Sequence, residues 1–207
     1  MKKLELYLPV NKYGICWSQD FFGNNACIED GKVFTKQNGV CTRGIEFYPS
    51  VGLQSHGGLD IWARHQESLY ASHSGIVSEM STDLKLGYGL GITTDEKYEY
   101  KGTEVKFKSR YWHLDSFVVV AGDKVKVGQL IGYADSTGYS SSSHLHFELK
   151  PLNNEGGNLE PNNGWRGRID PMPYLILKPA SEIPPLMLKV EILQHLVSLW
   201  TKLKSII

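Results

Sequence analysis

The sequence predicts a mainly β fold, a compact antiparallel β-sheet domain followed by a C-terminal amphipathic helix. Three observations carry that prediction. Between about residues 40 and 150 the chain falls into short pieces rich in Val, Ile, Tyr, Trp and Phe, among them YASHSGIVSEMS, EVKFKSRYWHL and HLHFELK. Their partial period-two alternation is the mark of strands with one buried face. Gly, Asp, Asn and Ser separate the pieces, and no strong helix signal interrupts them.

The opening MKKLELYLPVNK begins with two lysines, but Glu5, Pro9 and Asn11 break the apolar run that a secretory leader requires. No uncharged stretch is long enough to span a bilayer. An export route of the chain's own is therefore not expected. The three cysteines, Cys16, Cys27 and Cys41, lie in the first quarter. An odd count closes no complete disulfide framework and the spacings give no zinc ribbon, so a structural or incidental role is expected. A single Cys16–Cys27 bridge is the alternative for a protein working outside a cell. Residues 1–40 form a segment that precedes or packs on the core, and residues 41–180 form the domain.

Within that domain AGDKVKVGQLIGYA reads as two Val-rich pieces joined by glycine turns, and KPLNNEGGNLEPNNGWRGRIDPMP as an irregular polar loop. Residues 181–207 differ. Ser181 is a helix-cap candidate, and Leu186, Val190, Leu193, Leu196, Val197, Trp200, Leu203 and Ile207 recur at helical spacing. One apolar stripe of this kind docks on its own domain, self-associates or lies on a membrane surface.

Lys plus Arg and Asp plus Glu each number 22, giving zero formal charge. That balance argues against a nucleic-acid partner, which selects a basic surplus, and against an acidic solvating tail.

Three short motifs carry chemistry. In SSSSHLHFEL, His144 and His146 stand two residues apart, so a strand presents both imidazoles on one face. In SHGGLDIW, an ideal strand would hold His56 and Asp60 about 13 Å apart, but Gly57 and Gly58 let the chain bend and bring them together. In SRYWHLDS, His113 follows a strand-like run. Together the motifs supply two imidazoles and a carboxylate for a metal and two spare imidazoles beside them. That composition suits a zinc site with three protein ligands and a position left for water.

The order H-x-G-x-D, Y-x-H-L, H-L-H-F-E resembles the lysostaphin-type zinc metallopeptidases, which cut peptide cross-links in bacterial cell walls. The likeness runs through His56–Asp60, Tyr111–Leu114 and His144–Glu148, with LYASHSGIV, GDKVKVGQLIGYADSTG and DPMPYL between and after them, over roughly residues 40 to 177. The resemblance implies a lysostaphin-type β core and one zinc per chain held by His56, Asp60 and His146. It implies that His113 and His144 orient and deprotonate the attacking water and help stabilise the oxyanion. It also implies a peptidoglycan peptide as substrate, action at the cell wall, and, without a leader, a phage-encoded, virion-borne or unconventionally exported enzyme.

Tyr48 lies near the place of the family's oxyanion-stabilising tyrosine but out of clear register. Asn24 and Asn25 lie upstream, where latent relatives carry an inhibitory asparagine. Segments 92–104 and 150–168 are expected to rim the substrate groove. Two other readings compete. One is a latent family member, or a non-catalytic one that binds the wall or activates another hydrolase; the non-catalytic kind typically lacks a ligand, whereas all five side chains are present. A cupin-like barrel fails on spacing, because the acidic residue follows His146 by only two positions.

Overall fold

The computed structural model describes residues 1–11, 52–140 and 142–182 in full, and four further strands between residues 17 and 41 by their backbone alone. The first strands are β1 (Leu6–Leu8), β2 (Trp17–Gln19), β3 (Ala26–Glu29), β4 (Lys32–Gln37) and β5 (Val40–Cys41). The main domain adds β6 (Leu59–Trp62), β7 (Ser68–Tyr70), β8 (Gly75–Asp83), β9 (Gly87–Thr94) and β10 (Tyr98–Tyr100). It continues with β11 (Thr103–Phe117), β12 (Lys124–Val125), β13 (Leu130–Ala134), β14 (His144–Leu152) and β15 (Leu175–Pro179).

The expected antiparallel β architecture is present. One sheet runs β12-β8-β9-β11-β14-β6-β2, with β10 and β13 also on β11 and β7 on β13. Strand β11, at 15 residues, is its spine, pairing with β9 on one side and β14 on the other. A parallel pair, β1 with β15, closes the two ends of the described chain on each other, and β3-β4-β5 form a small separate sheet. Helical structure among the described residues is confined to 3-10 turns at Met172–Tyr174 and Ala180–Glu182. The helix expected over residues 181–207 lies, from residue 183 onward, outside the described residues, as do Tyr48, Asn24, Asn25 and the side chains of the three cysteines. No helix among the described residues is long and apolar enough to cross a membrane.

Period-two alternation sets the two faces of the sheet. Phe107, Ser109 and Tyr111 on β11, Leu145, Phe147 and Leu149 on β14, and Leu59 and Ile61 on β6 point into one core. There Tyr111 and Phe147 meet edge to face with centroids 5.2 Å apart, a favoured aromatic geometry. The alternate residues, Lys108, Arg110 and Trp112 with His144, His146, Glu148 and Lys150, share the opposite face. An antiparallel sheet can leave one face accessible, and here that face carries the charged groups.

Segment 92–104 does not rim this end of the sheet. It forms the β9-β10-β11 turn, and the register Thr93–Lys108 against Gly89–Trp112 puts it beyond the far end of β11 from His113. Order along the sequence gave no information about which end of a long strand a connection occupies.

Candidate metal centre

Three side chains converge at one end of the groove face. Asp60 and His146 are register partners on β6 and β14, and His56 enters from the loop just before β6. His146 Nδ1 lies 2.7 Å from Asp60 Oδ1 and 2.9 Å from His56 Nε2, and His56 Nε2 lies 3.0 Å from Asp60 Oδ1. The chain bends at Gly58, as expected, without a positive φ at either glycine, and the two glycines serve a further purpose. That purpose is space. A Cβ on Gly58 would stand 2.7 Å from the Phe147 carbonyl and 2.8 Å from the His146 ring, and one on Gly57 would stand 2.8 Å from Arg168 Cδ.

Burial pushes the Asp60 carboxyl upward, but His56, His144 and His146 outweigh it and hold it well below the usual carboxylate range. For His146 burial acts downward, and Asp60 and Glu148 override it to bring the imidazole up to about 9.

Glu148, two residues on along the same face of β14, fixes the other side of the His146 ring, with Oε1 3.3 Å from Nε2. Arg110 Nη1 donates to Glu148 Oε2 at 2.8 Å. Arg168 Nε lies 2.6 Å from Glu148 Oε1 but off its N–H axis, an ion pair rather than a directed hydrogen bond. Burial alone would raise the Glu148 carboxyl, but the two arginines and His146 hold it well below its ordinary range. It is therefore an ionised acceptor, and it leaves Nδ1 of His146 as the atom facing Asp60 and His56.

His113 and His144 stand beside the cluster. Their ring centroids are 4.8 Å apart, and His113 is 5.9 Å from the His146 ring. His113 reaches this face through a bulge: β11 advances from Trp112 to Leu114 while β9 advances only from Gly89 to Tyr88. The extra residue adopts φ 66°, a left-handed conformation uncommon for a side-chain-bearing residue. Both imidazoles are tied through Nδ1 to backbone carbonyls, His113 to Thr137 at 2.7 Å and His144 to Ser142 at 2.8 Å. A carbonyl only accepts, so Nδ1 carries the hydrogen in each. His144 Nε2 stands 3.5 Å from Asp60 Oδ1. Burial, with His146 and His144, pushes His113 down to about 4, leaving it neutral at pH 7.

All five residues singled out in the sequence thus meet in one volume. Glu148, Arg110 and Arg168 were not singled out. The two-residue offset of Glu148 from His146 was a signal available for the first, whereas nothing local announced the arginines, which arrive from β11 and from the segment before β15. A second group, His65, Asp115 and Asp135, also has ligand-type atoms within 4.8 Å of one another, but His65 is exposed and pairs with Asp135 at 2.9 Å.

Two imidazole nitrogens and a carboxylate oxygen, mutually 2.7–3.0 Å apart, are hard-to-borderline donors of the type a divalent ion such as zinc takes. A closure by a few tenths of an ångström relative to a metal-filled tetrahedron, whose ligands sit about 2.0–2.1 Å from the ion, is what hydrogen bonding among the donors produces. Such a set, with further imidazoles alongside, is the arrangement of metal-dependent hydrolases as a class.

Comparison with known proteins agrees. The model of peptidase family M23 matches residues 54–161, and the chain belongs to that family. Glycyl-glycine endopeptidase ALE-1 of Staphylococcus capitis is 46% identical over 65 residues, 31% of this chain and 16% of that protein. Peptidoglycan DD-endopeptidase ShyB of Vibrio cholerae is 49% identical over 137 residues, 58% of this chain and 31% of ShyB. The matched region is thus a minor part of each relative's length. A crystal structure of a zinc-containing peptidase from Vibrio cholerae shares the fold, with a TM-score of 0.52 at 21% identity, over 88% of this chain and 41% of that one.

Proposed function

We propose that this chain is a zinc-dependent endopeptidase that hydrolyses peptide cross-links of bacterial peptidoglycan. The observation that carries the reading is the convergence of His56 Nε2, Asp60 Oδ1 and His146 Nδ1, with the imidazoles of His113 and His144 beside them. His56, Asp60 and His146 would hold the ion, which when bound lowers the pKa of water and polarises a carbonyl. His113 and His144 would act as bases. Each is held by a carbonyl through Nδ1, and His113 is neutral at pH 7, able to take the proton from the attacking water and return it to the leaving amine. Once protonated, the same imidazoles would face the oxyanion as hydrogen-bond donors.

The family supports a peptidase, and the named relatives support a wall peptide as substrate. On this reading residues 41–180 are the catalytic domain, residues 1–40 are a segment that packs on it, residues 181–207 are an amphipathic helix, and the protein works at the cell wall. The non-catalytic alternative is disfavoured because all five side chains are present and assembled.

The test is digestion of purified sacculi with glycyl-bridged and with direct cross-links by the zinc-loaded chain, alongside a His113→Ala control. New peptide termini released by the wild type and missing with the control are expected. Intact walls of both types, with bound zinc verified, would sink the reading.

A further inference from the structure

Beyond Glu148 the groove face of β14 carries Lys150, and its register partner across on β11 is Lys108. Like charges directly opposite on antiparallel strands cost stability. Arg110 is the next groove-facing residue on β11, and Arg168 lies over Gly57. The two carboxylates among these cations are already engaged. Glu79 pairs with Arg110 at 2.5 Å and Lys108 at 3.4 Å, and Glu148 pairs with Arg110 and Arg168. Lys150 has no hydrogen-bond or ion-pair partner among the described residues, although it is only partly exposed. Burial, then Arg168 and Arg110, push its ammonium down to about 8. Four cations therefore face two carboxylates on a partly exposed floor, and Lys150 feels Glu148 and Glu79 only at a distance, with no anion in ion-pair contact among the described residues.

We propose that Lys150, backed by Lys108 and Arg168, is a subsite for an ionised carboxylate of the substrate peptide. The position fixes which carboxylate. Lys150 follows His146 by four residues on one strand, about 13 Å, and an extended peptide rises by the same increment per residue. The carboxylate it receives stands three to four residues from the bond that is cut. A carboxylate there accepts charge-assisted hydrogen bonds from the ammonium and offsets the Lys108–Lys150 repulsion, so the site discriminates against the same peptide with that group amidated. The inference rests on the peptidase reading for the location of the cut, and its test does not depend on cleavage.

The experiment measures binding of a cross-linked stem-peptide dimer in free-carboxylate and amidated forms to the full zinc-loaded chain, in a His113→Ala background that leaves the peptide intact. The free-carboxylate form is expected to bind about tenfold more tightly, the preference weakening as salt is raised. Adding Lys150→Gln should bring the two affinities together, and Lys150→Arg should keep them apart. Equal affinities in the parent chain, including no binding of either form, overturn the subsite, as does a preference that survives Lys150→Gln. Hydrolysis by the wild-type chain is followed separately. Cleavage with no carboxylate preference sinks the subsite alone, and a Lys150-dependent preference without cleavage sinks the peptidase reading alone.

Discussion

The Nε2 of His146 lies 3.3 Å from the Glu148 carboxylate while its Nδ1 lies 2.7 Å from Asp60, so one imidazole is held between two acids from opposite edges of its ring. The carboxylate is held in turn, because Arg110 and Arg168 draw Glu148 from two other elements. Orientation of a ligating imidazole by an outer carboxylate typically governs metal affinity by about 10–100-fold. Glu148→Gln is expected to weaken zinc binding within that range in a chelator competition. It should also lower stability by about 1–3 kcal/mol, because Arg168 loses its carboxylate partner while Arg110 keeps Glu79. Unchanged zinc affinity in a folded variant would show that Glu148 braces the arginines and nothing more.

The proton on His146 gives the metal site a pH dependence of defined sign. Asp60 and Glu148 raise that imidazole to about 9, so the metal-free chain carries the proton at neutral pH and a cation must displace it. Apparent zinc affinity should therefore rise with pH up to about 9, by roughly tenfold per unit for one proton released. Calorimetry in buffers of different ionisation enthalpy reads the released proton directly. An affinity flat between pH 6 and 8 would contradict the account.

His113 and His144 separate chemistry from metal binding. Neither belongs to the 2.7–3.0 Å donor cluster, and each is tied to a backbone carbonyl. Alanine at either position should cut turnover by about 10²–10⁴-fold, the usual loss of a general base, with zinc still bound. Asp60→Ala should instead lose the zinc. Metal content by mass spectrometry, read beside the rate, distinguishes the two kinds of loss.

How much of this was legible in the sequence follows the range of each interaction. The pair His144 and His146 could be placed because both sit on one strand, where a spacing of two decides the face. His56 and Asp60 could be brought together through a bend at the glycines, but not the second role of Gly58, which makes room for a ring 88 residues further on. The direction of His113 depends on a bulge set by the registers of β9 and β13, neither of which His113 itself reveals. The Arg110–Glu148–Arg168 set joins three remote segments, and no local period marks it. The misplacement of segment 92–104 has the same origin, because the 15-residue length of β11 determines which connections lie near its His113 end.

Behind the sheet, His73 supplies a prediction about stability. It is buried, with Nδ1 donating to the Ser74 carbonyl at 3.0 Å and Nε2 2.8 Å from Ser109 Oγ. Burial pushes it from the ordinary value of 6.5 down to about 4, against small opposing effects of the Ser74 carbonyl and Asp95. Between those values the unfolded chain binds a proton that the folded chain refuses, so stability is fully present above pH 6.5 and is lost as pH falls toward 4. A shift of that size corresponds to about 3 kcal/mol. His113, lowered by the same amount, contributes in the same direction. His146, raised, contributes stability that is fully present below pH 6.5 and is lost progressively as pH climbs from there through about 9. Denaturant titrations of the metal-free chain at pH 7.5 and pH 4.5 should show the decline, and His73→Gln should make it shallower. An equal decline in the variant would mean that His73 is not the group that resists protonation.

Gly58→Ala tests the packing that holds the centre together. The added methyl would meet the Phe147 carbonyl and the His146 ring at under 3 Å, and both belong to β14, which is paired on both sides and cannot retreat. The ring is the more mobile neighbour, so the strain should be relieved by tilting His146 away from Asp60. The expected loss of stability is about 1–3 kcal/mol, the usual effect of overpacking. Zinc affinity should fall with it, because Nδ1 leaves the donor cluster. Gly102→Ala is the matched control, since nothing stands within 4 Å of its added methyl. Its φ of 82° adds backbone strain remote from the centre, so it should lose some stability while keeping its zinc affinity. If both variants bind zinc as the parent does, the approach of Gly58 to His146 is a feature of packing that the metal site does not require.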